Sequence, residues 1–373
     1  MLRCAAVTDV TPRLATSADN EACLTLFGAV PMRGDLVLST QRGPDFFALY
    51  GLQRARAYTY VGEDEKGLLG MATALVREGW LDGRVQPVGY LGDLRVRFDR
   101  SRAFGRLFGD HFEALCAETG CGAYYTSVLA SNRAAINALV RRSPKRRNQP
   151  WYEPLHRFAA VSVQLTRRRR PSSDVPVRSA TPDDLPAIAA LLDEAHRRRP
   201  FGYRYDDGEL QHRLARWPGF TLDDTLVALD ARGALLGVTT LWDPSPVKRY
   251  RVHAYRGTMR WVQRGFNLAA RVAGWPTLPA PGGDFRSVYL SNLAVRDESP
   301  RVFHALLEHA YARLQPTGRH FFTFELDEGD PLEPALKGFL ARRLEFQLFA
   351  VTPASAPRLE WPRGRTGFEI ALA

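Results

Sequence analysis

The chain has 373 residues, 45% hydrophobic and 24% charged, a balance that sets disordered and fibrous proteins aside and calls for a packed core. One hydrophobic core rarely organises a chain of this length, so two domains of ordinary size are expected. The formal charge of +11 suits an anionic partner such as nucleic acid, a lipid surface or a cofactor, but the arginines are spread along the chain rather than gathered in one stripe.

No apolar run approaches the roughly 20 residues of a membrane-crossing helix. Met1 to Arg13 has no apolar stretch followed by a small-residue cleavage site, so a cytoplasmic protein is expected. Cys4, Cys23, Cys116 and Cys121 have neither metal-like spacing nor a neighbouring His cluster, which predicts reduced, structural thiols.

The first elements are a helix opened by Arg13, Ala15, Thr16 and Asp19, a turn at Pro31 to Gly34 and a short helix start at Pro44 to Leu49. Gly67 to Gly70 reads as a turn into a strand, and Tyr90 to Val96 as a further strand. The chain then turns through Phe98 to Gly105 into a helix ending near Thr119, followed by an aromatic strand at Ala123 to Leu129 and a helix opened by Asn132. A loop feeding a helix presents unpaired amides and the positive end of the helix dipole, which suits a pyrophosphate. Small Ala103 and Gly105 allow close approach there, and Arg100, Arg102 and Arg106 offer charge to phosphate oxygens. Arg141, Arg142, Lys145, Arg146 and Arg147 form a basic loop, solvated or reaching an acidic ligand.

Residues 167–176, with their arginine run and two prolines, read as a linker between domains at 1–166 and 177–373. Beyond the linker the pattern repeats. Arg178, Ala180, Thr181 and Asp184 answer Arg13, Ala15, Thr16 and Asp19, and Gly233 to Gly237 answers Gly67 to Gly70. Tyr289-Leu290-Ser291-Asn292-Leu293-Ala294-Val295 matches Tyr90-Leu91-Gly92-Asp93-Leu94-Arg95-Val96 at four of seven positions. The helix at Val302 to Leu314 and the aromatic strand at Phe321 to Leu326 close the second copy. Each copy therefore reads as a mixed sheet with helices on its faces. An insertion, Lys248 to Asp284, is confined to the second copy, and the amphipathic spacing of Met259 to Trp275 predicts a helix packed on the neighbouring domain rather than on a membrane.

The strand, Arg100-x-x-Ala103-x-Gly105 and the following helix resemble the acyl-coenzyme A motif of the GNAT superfamily of N-acetyltransferases. That family usually has Arg or Gln, two residues, Gly, one residue, then Gly or Ala; here Ala103 stands at the first small position and the loop after Val96 is a residue short. Ser131-Asn132-Arg133-Ala134-Ala135-Ile136 resembles the family's Asn-started helix beside the pantetheine arm. The resemblance implies an α/β protein of two consecutive GNAT-like domains, each a mixed, mostly antiparallel sheet flanked by helices. It implies acetyl-CoA or another acyl-CoA held by Leu94, Arg95, Val96, Arg100, Ser101, Arg102, Ala103, Phe104, Gly105, Arg106 and Asn132, with acyl transfer to a small-molecule or peptide amine.

Acyl transfer needs a proton acceptor for the amine and a donor for the leaving thiolate. The family often places a carboxylate or His where this chain has Gly92 and Tyr90, which leaves Asp93 as the nearest carboxylate, either a base or a buried, hydrogen-bonded structural group. The family's frequent thiolate acid, a Tyr, is replaced by Leu139, so Tyr90 and Tyr125 complete the catalytic candidates, although Tyr124 and Tyr125 on a strand also read as core. Pro31, Met32, Arg33, Asp45, Phe46 and Phe47 would line the acceptor side. In the second copy, Asp297, Glu298 and Pro300 repel phosphate and remove an amide, so that domain keeps a degenerate loop and completes the acceptor cavity. Two rival readings stand beside this one: a catalytically silent acyl-CoA-binding or regulatory protein, and an aminoacyl-tRNA-linked transferase, for which no nucleic-acid motif is present.

Overall fold

Both helix starts of the repeat are built alike, which explains the letters they share. Arg13 donates to Asp19 at 2.7 Å while Asp19 accepts from the Thr16 amide at 2.7 Å. In the second copy Arg178 donates to Asp184 at 2.6 Å, and Asp184 accepts from the Thr181 amide at 2.7 Å. Each is a capping box on a short 3-10 turn, and each aspartate is held well below the usual carboxylate range chiefly by its arginine.

The computed structural model describes residues 12–29, 31–32, 34–97, 101–142, 146, 148–166, 168–357, 360–361 and 364–373, with only the backbone of 101–108. The first half runs β1 (Arg13–Leu14), α1 (Asn20–Ala29), β2 (Leu36–Gln41), α2 (Ala48–Gly51), β3 (Arg56–Asp64) and β4 (Gly67–Leu81). It continues through β5 (Arg84–Val96), α3 (Ser101–Thr119), β6 (Tyr124–Leu129), α4 (Arg133–Val140) and β7 (Trp151–Gln164). The second half runs β8 (Val177–Ser179), α5 (Leu185–Arg197), α6 (Glu209–Arg216), β9 (Thr225–Leu229), β10 (Leu235–Trp242), β11 (Arg249–Tyr255) and α7 (Met259–Ala273). It ends with β12 (Asp284–Phe285), β13 (Ser287–Val295), α8 (Pro300–Leu314), β14 (Phe321–Asp327) and β15 (Ala341–Thr352).

Twelve of these strands form one sheet in the order β1-β3-β4-β5-β6-β15-β7-β14-β13-β10-β9-β8. Its pairs are antiparallel except β5 with β6 and β13 with β14. The last strand of each half crosses over: β7 pairs with β14, and β15 returns to pair with β6. The halves thus share one continuous sheet, each completing the other's middle. Helix α8 covers the second half's strands through Phe303, Leu306 and Leu307, all fully buried, and Phe112 and Leu115 of α3 pack on Tyr124 and Leu91 in the first.

The segment between β7 and β8 is tied to α8 at several points while most of its described residues stay exposed. Glu308 of α8, fully buried, accepts from the Ser172 and Ser173 amides at 2.8 and 2.9 Å and from the Arg169 guanidinium at 3.1 Å, while Val175 enters the core. Burial alone would raise the Glu308 pKa, but these donors outweigh it and hold it at about 2.

The insertion joins the halves through its strand: β11 pairs with β2 of the first half in a separate three-stranded sheet. Its helix departs from expectation. The apolar side of α7 does not pack on the neighbouring domain, and Trp261, Leu268 and Val272 are 69%, 67% and 87% exposed.

Candidate active site

Strand β5 carries the site because it breaks its own pairing. Against β4 the register runs Val96 to Gly70 and Arg95 to Met71, then shifts so that Gly92 faces Thr73. The extra residue is absorbed at Asp93, whose φ of 53° lies in the left-handed region. Aspartate and asparagine tolerate that region better than other non-glycine residues. In β13 the equivalent shift falls at Asn292, also at φ 53°. The bulge is therefore a property of the repeat, and it overturns simple alternation of Asp93 against Gly92 and Leu94.

On its other side β5 pairs with β6 only at Gly89 with Tyr124 and Tyr90 with Tyr125. The Thr126 hydroxyl clamps the vertex, donating to the Leu91 carbonyl at 2.7 Å. Beyond it the strands diverge, and among the described residues Leu91–Val96 has no ladder partner on that side. The result is a cleft with one wall made of strand edge, including the expected Leu94, Arg95 and Val96. Helix α3 begins just past it, at Ser101, so the backbones of Ser101, Arg102, Ala103, Phe104, Gly105 and Arg106 form its first turns. Arg100, Arg33, Lys145, Arg147 and Cys4 lie outside the described residues.

Asp93 is fully engaged. Its Oδ1 and Oδ2 lie 3.1 and 3.0 Å from the Arg42 guanidinium, and Oδ2 also accepts from the Tyr50 hydroxyl. Arg42 is 2% exposed and sits over the rings of Phe27 and Tyr50 at 5.0 and 4.9 Å. Burial opposes its charge, but Asp93 restores it and keeps the guanidinium cationic. The Tyr50 hydroxyl also lies 3.1 Å from Thr73, whose neighbour on β3 is Thr59 at 3.0 Å. Arg42 and Tyr50 thus pin the bulge, a role that fits the structural reading of Asp93. The Arg95 guanidinium turns away to α1, 4.5 Å over the Phe27 ring.

Tyr90 and Tyr125 come together, with ring centroids 5.1 Å apart. Gly92 makes room for Tyr90: a Cβ there would stand 2.7 Å from the tyrosine ring. The position that lacks the expected carboxylate is thus where a tyrosine folds along the strand edge. The second half supplies the roof, with Phe201 4.7 Å from Tyr125 and Phe368 6.1 Å from Tyr90. Burial raises both phenol pKa values, so each hydroxyl keeps its proton.

Asn132 caps α4, accepting from the Ala135 amide at 3.1 Å. Of the expected acceptor residues, Phe46 is core and packs edge-on to Phe27 and Tyr50, while Met32 bridges to Leu38. Arg142 stacks on Trp151 at 3.8 Å. Arg42, Tyr50, Lys248 and Phe368 were not legible as site residues. Lys248, from the insertion, is buried against the Tyr250 and Tyr289 rings and donates to the carbonyls of Ile370 and Ala371 at 3.1 and 3.3 Å.

The matching cleft of the second half is filled. Beyond Tyr289 and Thr323, β13 and β14 part in the same way, but the Ile370 amide donates there to Glu325 at 2.9 Å. Asn292 accepts from buried Arg213 at 2.7 Å and from Tyr205 at 2.9 Å, and Glu369 and Glu209 balance the arginine. Burial lifts the Glu325 pKa to about 8. The loop before α8 holds Asp297 and Glu298 in left-handed geometry, and Pro300 opens the helix.

No protein-family model and no curated protein sequence matches the chain. Among solved structures it is similar to Saccharomyces cerevisiae N-myristoyltransferase with bound myristoyl-CoA, at 11% identity and TM-score 0.59 over 94% of this chain and 84% of that one. It is similar to a GCN5-related N-acetyltransferase from Sphaerobacter thermophilus, at 13% identity and TM-score 0.54 over 96% and 98%. A glucosamine N-acetyltransferase region of a fungal multi-domain β-N-acetylglucosaminidase aligns at 15% identity and TM-score 0.58 over 93% of this chain and 38% of that protein. At these identities the likeness shows the fold: two GNAT-like units with a mostly antiparallel sheet flanked by helices, as the sequence resemblance implied.

Proposed function

We propose that the chain is an N-acyltransferase that takes an acyl group from acetyl-CoA or another acyl-CoA and places it on a small-molecule or peptide amine. The carrying observation is the cleft between β5 and β6, where Leu91–Val96 offers an unladdered strand edge that leads directly toward the start of α3. This arrangement fits an acyl-coenzyme A: an extended amide chain pairs with a strand edge, and a helix start receives a diphosphate. In the matching cleft of the second half the Ile370 amide is bonded to Glu325, so the reading puts the donor in 1–166 and gives 177–373 the acceptor side.

Bound there, the thioester supplies an activated acyl carbon. The backbone of Leu94, Arg95 and Val96 orients it, with Arg100, Arg102 and Arg106 as the charges for phosphate and Asn132 holding α4 alongside. Arg42 and Tyr50 keep Asp93 in place, so that the bulge presents the strand edge at a fixed angle. Asp93 is thus a positioning residue. Tyr90, which keeps its proton at the vertex, would hand it to the sulfur as the carbon–sulfur bond breaks and the carbon–nitrogen bond forms, and water would return the amine's proton to Tyr90. Tyr125 supports Tyr90 through their ring contact. Phe201 and Phe368 exclude water from the vertex.

The test is thiol release from acetyl-CoA with a panel of small amines and N-terminal peptides. Turnover with at least one amine is expected, and Tyr90→Phe lowers kcat by about a hundredfold with acyl-CoA affinity unchanged. Absence of thiol release with every amine, alongside tight acyl-CoA binding, would replace this reading with the catalytically silent one.

A further inference from the structure

Helix α7 is turned inside out for a helix that only packs on its own protein. At about 100° per residue, Met259, Phe266 and Ala270 lie on one side, and these are half-buried or buried. Trp261, Gly265, Leu268 and Val272 lie on the opposite side and face outward, with Val262 at its edge and also exposed. Arg260, Arg264 and Arg271 form a flanking row, all exposed. From Arg256 to Trp275 the chain has four arginines and no acidic residue. The helix is held in this orientation: Asn267 exchanges hydrogen bonds with Leu278 at 3.1 and 2.8 Å, and Phe266 lies against Trp275 at 6.1 Å.

We propose that α7 docks on an anionic lipid surface, with Trp261, Leu268 and Val272 entering the acyl boundary and Arg260, Arg264 and Arg271 meeting headgroup phosphates. Charge decides among occupants. A second copy would bring two three-arginine helices face to face with no acid to offset them. Nucleic acid would take the arginines but leave Leu268 and Val272 in water. An anionic bilayer satisfies both faces at once, because an interfacial helix gains from apolar burial and from basic residues near charged headgroups. Arg264 lies 5.1 Å from the Trp261 ring, placing cation and indole at the depth where both are favourable. The helix is anchored through β11 and is too short and too basic to cross, so it lies in the surface plane. The inference does not depend on which amine is acylated.

Flotation of the full chain tests it, with vesicles of phosphatidylcholine alone and of phosphatidylcholine mixed with phosphatidylglycerol. The protein is expected to rise with the mixed vesicles, to stay behind with the neutral ones and to release as salt is raised. Leu268→Asp with Val272→Asp should weaken partitioning by more than about tenfold, and Arg260→Gln with Arg264→Gln by about thirtyfold. Both pairs are exposed, so unchanged circular dichroism is expected and separates lost docking from lost folding. Failure of the parent to rise with either vesicle overturns the proposal, as does binding that survives both double substitutions. A dimer dissolved by Val272→Asp, or retention on RNA without vesicle binding, overturns it in favour of those partners.

Discussion

The Arg42–Asp93 pair should behave as one unit. At 3.0 Å, with Arg42 2% exposed, the two charges attract by about 5 kcal/mol at an effective dielectric constant of about 20. Their desolvation offsets much of that. Removing one partner strands the other in a buried site, which costs about 3–5 kcal/mol. Arg42→Met leaves Asp93 with only Tyr50, and Asp93→Asn leaves the guanidinium without its counter-charge. The double substitution strands no charge, and the second half shows that asparagine is accommodated at the same bulge. Urea unfolding of the parent, the two single variants and the double variant closes the cycle. The double variant is expected to be less destabilised than the sum of the singles by about 2 kcal/mol or more. Additivity within about 0.5 kcal/mol would refute the pinning role assigned to Arg42.

Gly92→Val places a side chain where the Tyr90 ring lies, so the ring must leave the vertex; thiol release should fall by about tenfold or more while the far-UV spectrum is kept, and full activity would contradict the placement of Tyr90. Glu308→Gln tests the docked segment between β7 and β8. Its folded pKa of about 2 lies below the ordinary 4.5, so the stabilisation is fully present above pH 4.5 and is lost as pH falls through 2. The substitution should cost about 3 kcal/mol at pH 7 and about 1 kcal/mol at pH 3, read by urea unfolding; an equal cost at both would remove the carboxylate from the explanation.

Much of this architecture is legible in the letters of the repeat. Arg13, Thr16 and Asp19 return as Arg178, Thr181 and Asp184 because both groups build the same cap, a local structure that sequence specifies by itself. The strand edge at Tyr90–Val96 is also visible, but its bulge is not obvious until Asp93 is set beside Asn292 and the shared tolerance of left-handed geometry is noticed. Arg42, Tyr50 and Lys248 could not be found in this way, because they reach Asp93 or the Ile370 segment from a loop, a short helix and an insertion far along the chain. The exchange of β7 and β15 is hidden for the same reason: either strand satisfies its own pattern beside either half. On α7 the amphipathic spacing identified the helix but not its outward side. Periodicity states that one face is apolar, whereas the fold decides what that face meets.

The proposed donor site is one strand edge, in the first half alone. Hydrogen exchange of the full chain with and without acetyl-CoA tests it most directly. Slowed exchange confined to Leu91–Val96 and the opening turns of α3, with Leu290–Val295 and the start of α8 unchanged, is the predicted result. Protection at the second site, or none at either with saturating acetyl-CoA, would contradict it.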